Sequence, residues 1–306
     1  LLENHIDIKI YGTTRDIKYA EKFKSEMSKI GVSNFQNIKI LQVALDSKKD
    51  VDLLIKDSSP DLLFNLAGPS SVYTSIVDSG ETKNKIVRIF DNLTEALIQN
   101  DNYCNFFQSS SSEMFAKNLD FPFDEKSFLS PNSPYGEAKL YCHNQATELN
   151  KIYDWKIVSG IMFNHESGFR SNDFLIPKII LNAAKNQSGQ YEKLELGTLD
   201  YTRDWIHAED MIEAIYSITV DPKNDAYVLG SGKGYSIRNL AEIIFSYFDL
   251  NFEDYVETNH NLLRDGDVSN IISNPKKLIK DYSWSPKYDF KEMLIKIIEF
   301  KLSQLK

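Results

Sequence analysis

Cysteine is nearly absent: 306 residues carry two, Cys104 and Cys142. That excludes a disulfide framework, and neither has a metal-type spacing, so both are expected as reduced structural thiols in a cytoplasmic protein. Histidine is sparse too, and His5, His143 and His260 have no partners at metal-ligand distance in sequence, so no metal is expected. No apolar run approaches the ~20 residues needed to span a bilayer, and no leader-like segment is read before the first strand-like run, so no membrane partner is expected. The net charge of -9 and the want of any Lys/Arg cluster argue against a nucleic-acid surface. Arginine is the scarcer base: of 35 basic residues only Arg15, Arg88, Arg170, Arg203, Arg238 and Arg264 are arginines. Their planar fork grips phosphate in a way lysine cannot, so each merits individual attention.

What is present is an apolar fraction of 42%, enough for a full core. Short β-type runs at His5–Tyr11, Ile38–Val43, Leu62–Ala67, Tyr103–Gln108 and Lys156–Phe163 alternate with helical patterns at Ile17–Ile30, Lys48–Lys56, Asn84–Gln99 and Pro134–Ile152. This βαβα rhythm predicts an α/β fold with a doubly wound, parallel Rossmann-type sheet. The strands are nearly continuous apolar runs, as expected when helices cover both faces. After about Phe163 the rhythm changes to helices at Phe174–Asn186, His207–Val220, Ser236–Phe248 and Asp289–Gln304 with brief strands between. Residues 1–163 therefore read as a dinucleotide-binding domain and 164–306 mainly as a smaller substrate-binding α+β lobe, interleaved with late elements of the sheet.

One further absence is informative. A nucleotide-binding sheet ordinarily opens with a strand and a Gly-rich turn onto a helix N-terminus, and this chain has no such turn. It begins Leu1-Leu2-Glu3-Asn4, without Met, and reads as the tail of a helix entering a second strand. The expectation is that about twenty residues of strand, turn and helix are missing; the alternative is a protein lacking the cofactor site.

The strongest chemical grouping is Ser111-Ser112-Glu113 after an apolar strand, with Ser133-Pro134-Tyr135-Gly136-Glu137-Ala138-Lys139 beyond it. Ser133 reads as a helix cap and Pro134 as its first turn, so Tyr135 and Lys139 share one helix face about 6 Å apart along the axis. A phenol near an ammonium becomes acidic. Holding it as phenolate near neutrality means lowering its pKa by roughly three units, about 4 kcal/mol of differential interaction. A surface Tyr and Lys on an amphipathic helix is the ordinary alternative for the pair alone, and a first-turn acid after a Ser cap is the ordinary alternative for Glu113.

Together with Phe163-Asn164-His165-Glu166-Ser167, Leu196-Gly197-Thr198-Leu199-Asp200, Arg203-Asp204-Trp205 and Trp284-Ser285-Pro286, these segments resemble the GDP-mannose 4,6-dehydratases, members of the extended short-chain dehydrogenase/reductases. The resemblance runs in order through the chain, and Asn-His-Glu-Ser is its most discriminating piece. It implies an internal redox loop. Tyr135 would take the proton of the sugar C4 hydroxyl while the C4 hydride passes to NADP+, with Ser111 on the same oxygen. Glu113 would then remove the C5 proton, water would leave from C6, and the hydride would return there. Lys139 would bind the nicotinamide ribose. The resemblance also places Arg15, Leu66, Ala67, Ser70, His165 and Arg170 at cofactor-contacting positions, and Arg15, where a carboxylate would signal NAD, points to NADP. It places Ser75, Asn164, Lys178, Arg203 and Arg264 at substrate contacts, the two arginines on the nucleotide diphosphate.

Departures from the pattern bear on identity more than on class. Ser111 stands for the commoner Thr, Ala44 for an Asp at the adenine, Phe169 for one of two tandem Arg, and Ile89 for a helix Gly. The stretch after Arg15 lacks the extended loop that reaches a neighbouring subunit. A homodimer through the Asn84 and Tyr135 helices is the expected assembly, with a tetramer left open. The expected activity is conversion of GDP-mannose to GDP-4-keto-6-deoxymannose. A GDP-heptose 4,6-dehydratase, another nucleotide-sugar epimerase or decarboxylase, and a truncated inactive nucleotide-binding homologue remain the alternatives.

Overall fold

Strands and helices alternate as the apolar pattern predicts, in a computed structural model that describes residues 8–29, 35, 37–69, 79–117, 120–263 and 268–305. In chain order these are β1 (Ile10–Thr14), α1 (Lys18–Lys29), β2 (Ile38–Gln42), α2 (Lys48–Ser58), β3 (Leu62–Asn65), α3 (Ser79–Gln99), β4 (Asn105–Ser111), α4 (Pro134–Tyr153), β5 (Ile157–Met162), β6 (Asn164–Glu166) and α5 (Leu175–Gln187). Then follow β7 (Leu194–Leu196), β8 (Thr202–Arg203), β9 (Trp205–His207), α6 (Ala208–Val220), β10 (Ala226–Leu229), β11 (Tyr235–Ser236), α7 (Ile237–Tyr247), β12 (Val256–Thr258), β13 (Asn270–Ile271), α8 (Lys276–Tyr282) and α9 (Phe290–Ser303).

The main sheet is parallel, in the order β10-β5-β4-β3, and a separate parallel pair joins β1 to β2. Successive residues of β4 show why it reads as an unbroken apolar run. Phe106 enters a core with Val51, Phe90, Leu97, Cys142 and Trp155 from α2, α3, α4 and the start of β5, whereas Phe107 enters one with Met211, Ile215, Tyr227 and Leu278 from α6, β10 and α8. Alternating side chains on a strand point to opposite faces, so a sheet covered twice needs apolar residues at every position. Each fully buried ring contributes about 2–3 kcal/mol of transfer free energy. The two cysteines are free and buried in the first of these cores, and burial pushes both thiols up to about 12.

The first strand departs from its expected bounds, as do the start of α3, at Ser79 and not Asn84, and the end of β4, at Ser111 and not Gln108. The run His5–Tyr11 is expected as a strand, and the strand found is Ile10–Thr14, which pairs residue for residue with Ile38–Gln42; residues 1–7 lie outside the described part. Thr13 and Thr14 are β-branched and sit well on a pleated edge, and the turn begins only at Arg15, whose carbonyl accepts from Gln42 Nε2.

Beyond β5 a further core forms from α5, α7 and α9 with β7, β12 and Trp205. Asp204, fully buried between β8 and β9, ties that region to the sheet. It accepts from the backbone N–H groups of Ser231, Gly232 and Ser273 and from the hydroxyls of Ser231 and Ser273. A buried carboxylate is stable only when so surrounded, and this one fixes the loops after β10 and β13 beside Arg203. Among the described residues no helix is long and apolar enough to cross a membrane.

Candidate active site

Polar residues replace apolar ones where β4 reaches its C-terminal end. Ser109, Ser110, Ser111 and Ser112 are all buried, and in an open parallel sheet that end is where ligands bind. Ser111 caps a short 3-10 turn, Ser112–Phe115, by accepting from the backbone N–H of Glu113 at 3.2 Å. The α4 N-terminus is built as its sequence predicts, with the Ser133 hydroxyl accepting from Gly136 N–H at 3.1 Å and Pro134 in the first turn. Gly136 then decides the geometry between the two turns. A Cβ there would stand 2.9 Å from both the Glu113 carbonyl oxygen and Pro131 Cβ, so only glycine lets the helix start lie against the turn that carries Glu113. Tyr135 is thereby hydrogen-bonded to Ser111 and lies in the field of the Glu113 carboxylate. The three groups read from two separate sequence segments converge.

The electrostatics differ from the sequence expectation. Tyr135 is not acidified in this structure: burial pushes its phenol up to about 12, with the Glu113 charge adding to the rise, while the Ser111 hydrogen bond and the Arg170 charge pull it back. Lys139 is near, its Nζ 5.7 Å from the Tyr135 ring centre, but it donates to the carbonyl and hydroxyl oxygens of Ser109, both at 2.9 Å. Burial lowers the ammonium itself to about 8. The Ser109 carbonyl also accepts from Gln108 Nε2, and Gln108 in turn accepts from Asn65 at 2.8 Å, which locks the ends of β3 and β4 together. Ser110 meets His143 Nδ1 at 3.3 Å.

The Asn-His-Glu-Ser segment supplies the neighbouring wall. β6 pairs with β9, setting Asn164 opposite Trp205 and His165 opposite Ile206. His165 Nδ1 lies 3.0 Å from the Phe163 carbonyl, which can only accept, so the proton sits on Nδ1. Burial lowers the His165 pKa, and the Arg170 charge lowers it further. Arg170 thus acts on both His165 and Tyr135. Glu166 is ion-paired with Arg170, and burial pushes its carboxyl up to about 7.

A cavity of about 230 Å³ opens at the C-terminal ends of β1, β2 and β3, lined by Thr13, Thr14, Arg15, Leu45, Asp46, Ala67, Gly68, Lys85 and Ile89 among others. Gly68, at φ +124, turns the chain there in a conformation L side chains rarely adopt. Arg15 and Ala67 therefore share one recess, whereas Leu66 is half exposed and does not line it. Ser70, Ser75 and Arg264 lie outside the described residues. Arg203 donates from Nη1 to the carbonyls of Thr202 and Ser269. Lys178 is exposed on α5 with its Nζ on the Glu195 carbonyl at 3.5 Å.

Sequence reasoning missed Ser109, Lys85 and Lys301. Ser109 sat in a serine run with no distinguishing mark, and the two lysines lie on helices where a solvated Lys is the usual case. Glu166 was read only as part of a motif, and its burial carried no sequence signal. Among the described residues no group of three or more His, Cys, Asp or Glu could hold a metal ion.

Comparison with known proteins follows the same lines. The family model described as GDP-mannose 4,6 dehydratase matches residues 1–297. GDP-mannose 4,6 dehydratase 2 of Arabidopsis thaliana is 29% identical over 251 residues, covering 81% of this chain and 67% of the plant protein. By structure, the chain is similar to dTDP-glucose 4,6-dehydratase of Bacillus anthracis in complex with NAD, with TM-score 0.81, 19% identity and coverage of 99% and 90% of the two chains. It is equally similar to RMD of Pseudomonas aeruginosa complexed with NADPH, with TM-score 0.81, 19% identity and coverage of 97% and 98%. At that identity the two structures establish the Rossmann-type fold.

Proposed function

The chain belongs to the GDP-mannose 4,6-dehydratase family, and on that premise we propose that it is a nucleotide-sugar 4,6-dehydratase converting GDP-mannose to GDP-4-keto-6-deoxymannose with NADP as its cofactor. The observation that carries the reading is the convergence of Ser111, Glu113 and Tyr135, one hydroxyl, one carboxylate and one phenol, at the C-terminal end of the parallel sheet. The cofactor is assigned to residues 1–163 and the nucleotide sugar mainly to 164–306.

The residues present fit a dinucleotide. The recess beside β1 brings Arg15 and the Thr13 hydroxyl together with Lys85, which is ion-paired with Asp46 at 3.9 Å and Glu81 at 3.8 Å, so Arg15 is the fork-shaped donor suited to a phosphate-bearing nucleotide. Bound there, NADP+ supplies the acceptor for the C4 hydride and its later donor at C6.

The remaining work falls to the chain's own groups. Tyr135 takes the proton of the C4 hydroxyl while Ser111 holds the same oxygen. The resulting ketone acidifies C5; Glu113 removes that proton and passes it to the departing C6 hydroxyl, which leaves as water, and the proton held by Tyr135 goes to C5 when the hydride returns to C6. For Tyr135 to act as a base near neutrality, the burial that raises its pKa has to be offset by positive charge; Arg170 supplies part, and Lys139 stands within reach of the ring. Arg203 is assigned to the nucleotide diphosphate, Asn164 and Lys178 to the nucleotide side.

The test is incubation with GDP-mannose and NADP+, then mass spectrometry. A product lighter by one water supports dehydration; an unchanged mass points to an epimerase, and turnover of only a GDP-heptose would move the substrate. Glu113→Gln should stop water loss by about a hundredfold or more yet still reduce the nicotinamide. Full dehydration by that variant removes Glu113 from the C5 step.

A further inference from the structure

The loop that follows β6 is gripped by charges that the chemistry above leaves unused. Glu166 is 6% exposed and Lys301, near the end of α9, is 9% exposed. Lys301 Nζ donates to the Arg170 carbonyl at 2.6 Å and to Asn172 Oδ1 at 2.9 Å, and its charge, like that of Arg170, favours the Glu166 carboxylate. Glu166 Oε2 and Arg170 Nε stand 3.3 Å apart as an ion pair without hydrogen-bond geometry, and neither atom has a hydrogen-bond partner among the described residues. The Arg170 guanidinium carbon is 4.0 Å from the centre of the Phe174 ring.

The same helix holds the loop at a second point. Phe300 lies so close over Gly168 that a Cβ there would meet its ring at 2.1 Å, and its ring centre is 4.6 Å from that of Phe169. α9 thus fixes the backbone of the loop on both sides of Arg170's attachment.

A buried ion pair is weak as a source of stability, because desolvating two charges consumes most of what their attraction returns. An apolar pair of like volume would fill the space as well. What the charges do here is directional. With its Nε toward Glu166 and its flat face on Phe174, the guanidinium leaves its two Nη groups for other partners, and its charge is already felt at Tyr135 and His165.

We propose that Glu166 is a positioning residue, seated by Lys301: it holds the Arg170 guanidinium by its Nε edge against Phe174, so that the Nη fork can receive an anionic group of the bound dinucleotide. This rests on the cofactor reading of the cleft. The charged and titratable groups around the device are Arg170 and His165 on its own segment, Lys301 on α9 and Tyr135 on α4.

The test is NADPH binding by fluorescence titration, with no sugar present, for the full chain and for Glu166→Gln, Arg170→Met, the double variant, Glu166→Asp and Lys301→Met. Because Glu166 acts only through Arg170, Glu166→Gln should weaken binding about tenfold, Glu166→Asp should recover most of it, and the double variant should be no worse than Arg170→Met. Lys301→Met, which leaves the pair intact but loosens its seat, should weaken binding several-fold and reads the proposal if Glu166→Gln fails to fold. Wild-type affinity in Glu166→Gln, losses that multiply in the double variant, or a lowered melting temperature with unchanged affinity would each overturn it, as would failure of the unaltered protein to bind NADPH. NADPH binding with this pattern but no water loss from GDP-mannose would sink the dehydratase reading and leave the positioning role standing.

Discussion

Lys139 gives two hydrogen bonds to Ser109, one to its carbonyl and one to its hydroxyl oxygen. The ammonium is thereby committed to the strand, although its place on α4 was set by spacing from Tyr135. A buried ammonium with two acceptors is tolerated but costly, which is why its pKa falls to about 8.

That shift gives a stability prediction with a definite sign. Lys139 titrates lower folded than its ordinary 10.5, so its contribution is fully present above that value and is lost as the pH falls through about 8. Lys139→Met has no such loss. Denaturant unfolding of the two proteins should show the variant gaining on the wild type by up to about 3 kcal/mol between about pH 10 and pH 7. A difference that does not change with pH refutes the assignment.

Gly136→Ala separates local propensity from tertiary fit. Within a helix, alanine is favoured over glycine by about 1 kcal/mol. Here the new methyl would meet the Glu113 carbonyl and Pro131, and backbone cannot yield as a flexible side chain can. Expected is a loss of about 1–3 kcal/mol, together with a fall in kcat of about a hundredfold as Glu113 moves off the Tyr135 axis. Thermal unfolding and steady-state kinetics check both; a stabilised, fully active variant would show that the two turns are not held by this contact.

Arg15→Ala tests cofactor choice. Arg15 borders the recess next to β1 and β2, where a fork-shaped donor suits a phosphate ester on ribose. NADP+ affinity should drop about tenfold while NAD+ affinity stays within about twofold. Equal losses for both cofactors would mean that Arg15 does not read the extra phosphate.

Much of the fold could be read from periodicity. Phe106 and Phe107 announce a strand buried on both faces because adjacent apolar residues have no other use in a sheet. The Ser133–Pro134 cap was equally legible, since a cap is satisfied within its own turn. The Ile10–Thr14 boundary was not, because Gly12 looks like a turn signal until pairing with Ile38–Gln42 supplies hydrogen bonds for it. Among the candidate site residues, Lys178 and Leu66 were legible as types and positions without surroundings, and only the fold shows Lys178 on the Glu195 carbonyl and Leu66 half exposed.

By itself the chain determined what depends on neighbours within a few residues: strand and helix order, caps, the hydroxyl and carboxylate beside one another at Ser111 and Glu113, and the helix face shared by Tyr135 and Lys139. Only the tertiary structure decided which charges face which. Lys301 meets the Arg170 loop across 131 residues, and the Lys139 ammonium turns to Ser109 across 30. Such pairings follow from how helices seat on the sheet, and the pKa values follow from the water this packing removes, a quantity that no local spacing contains.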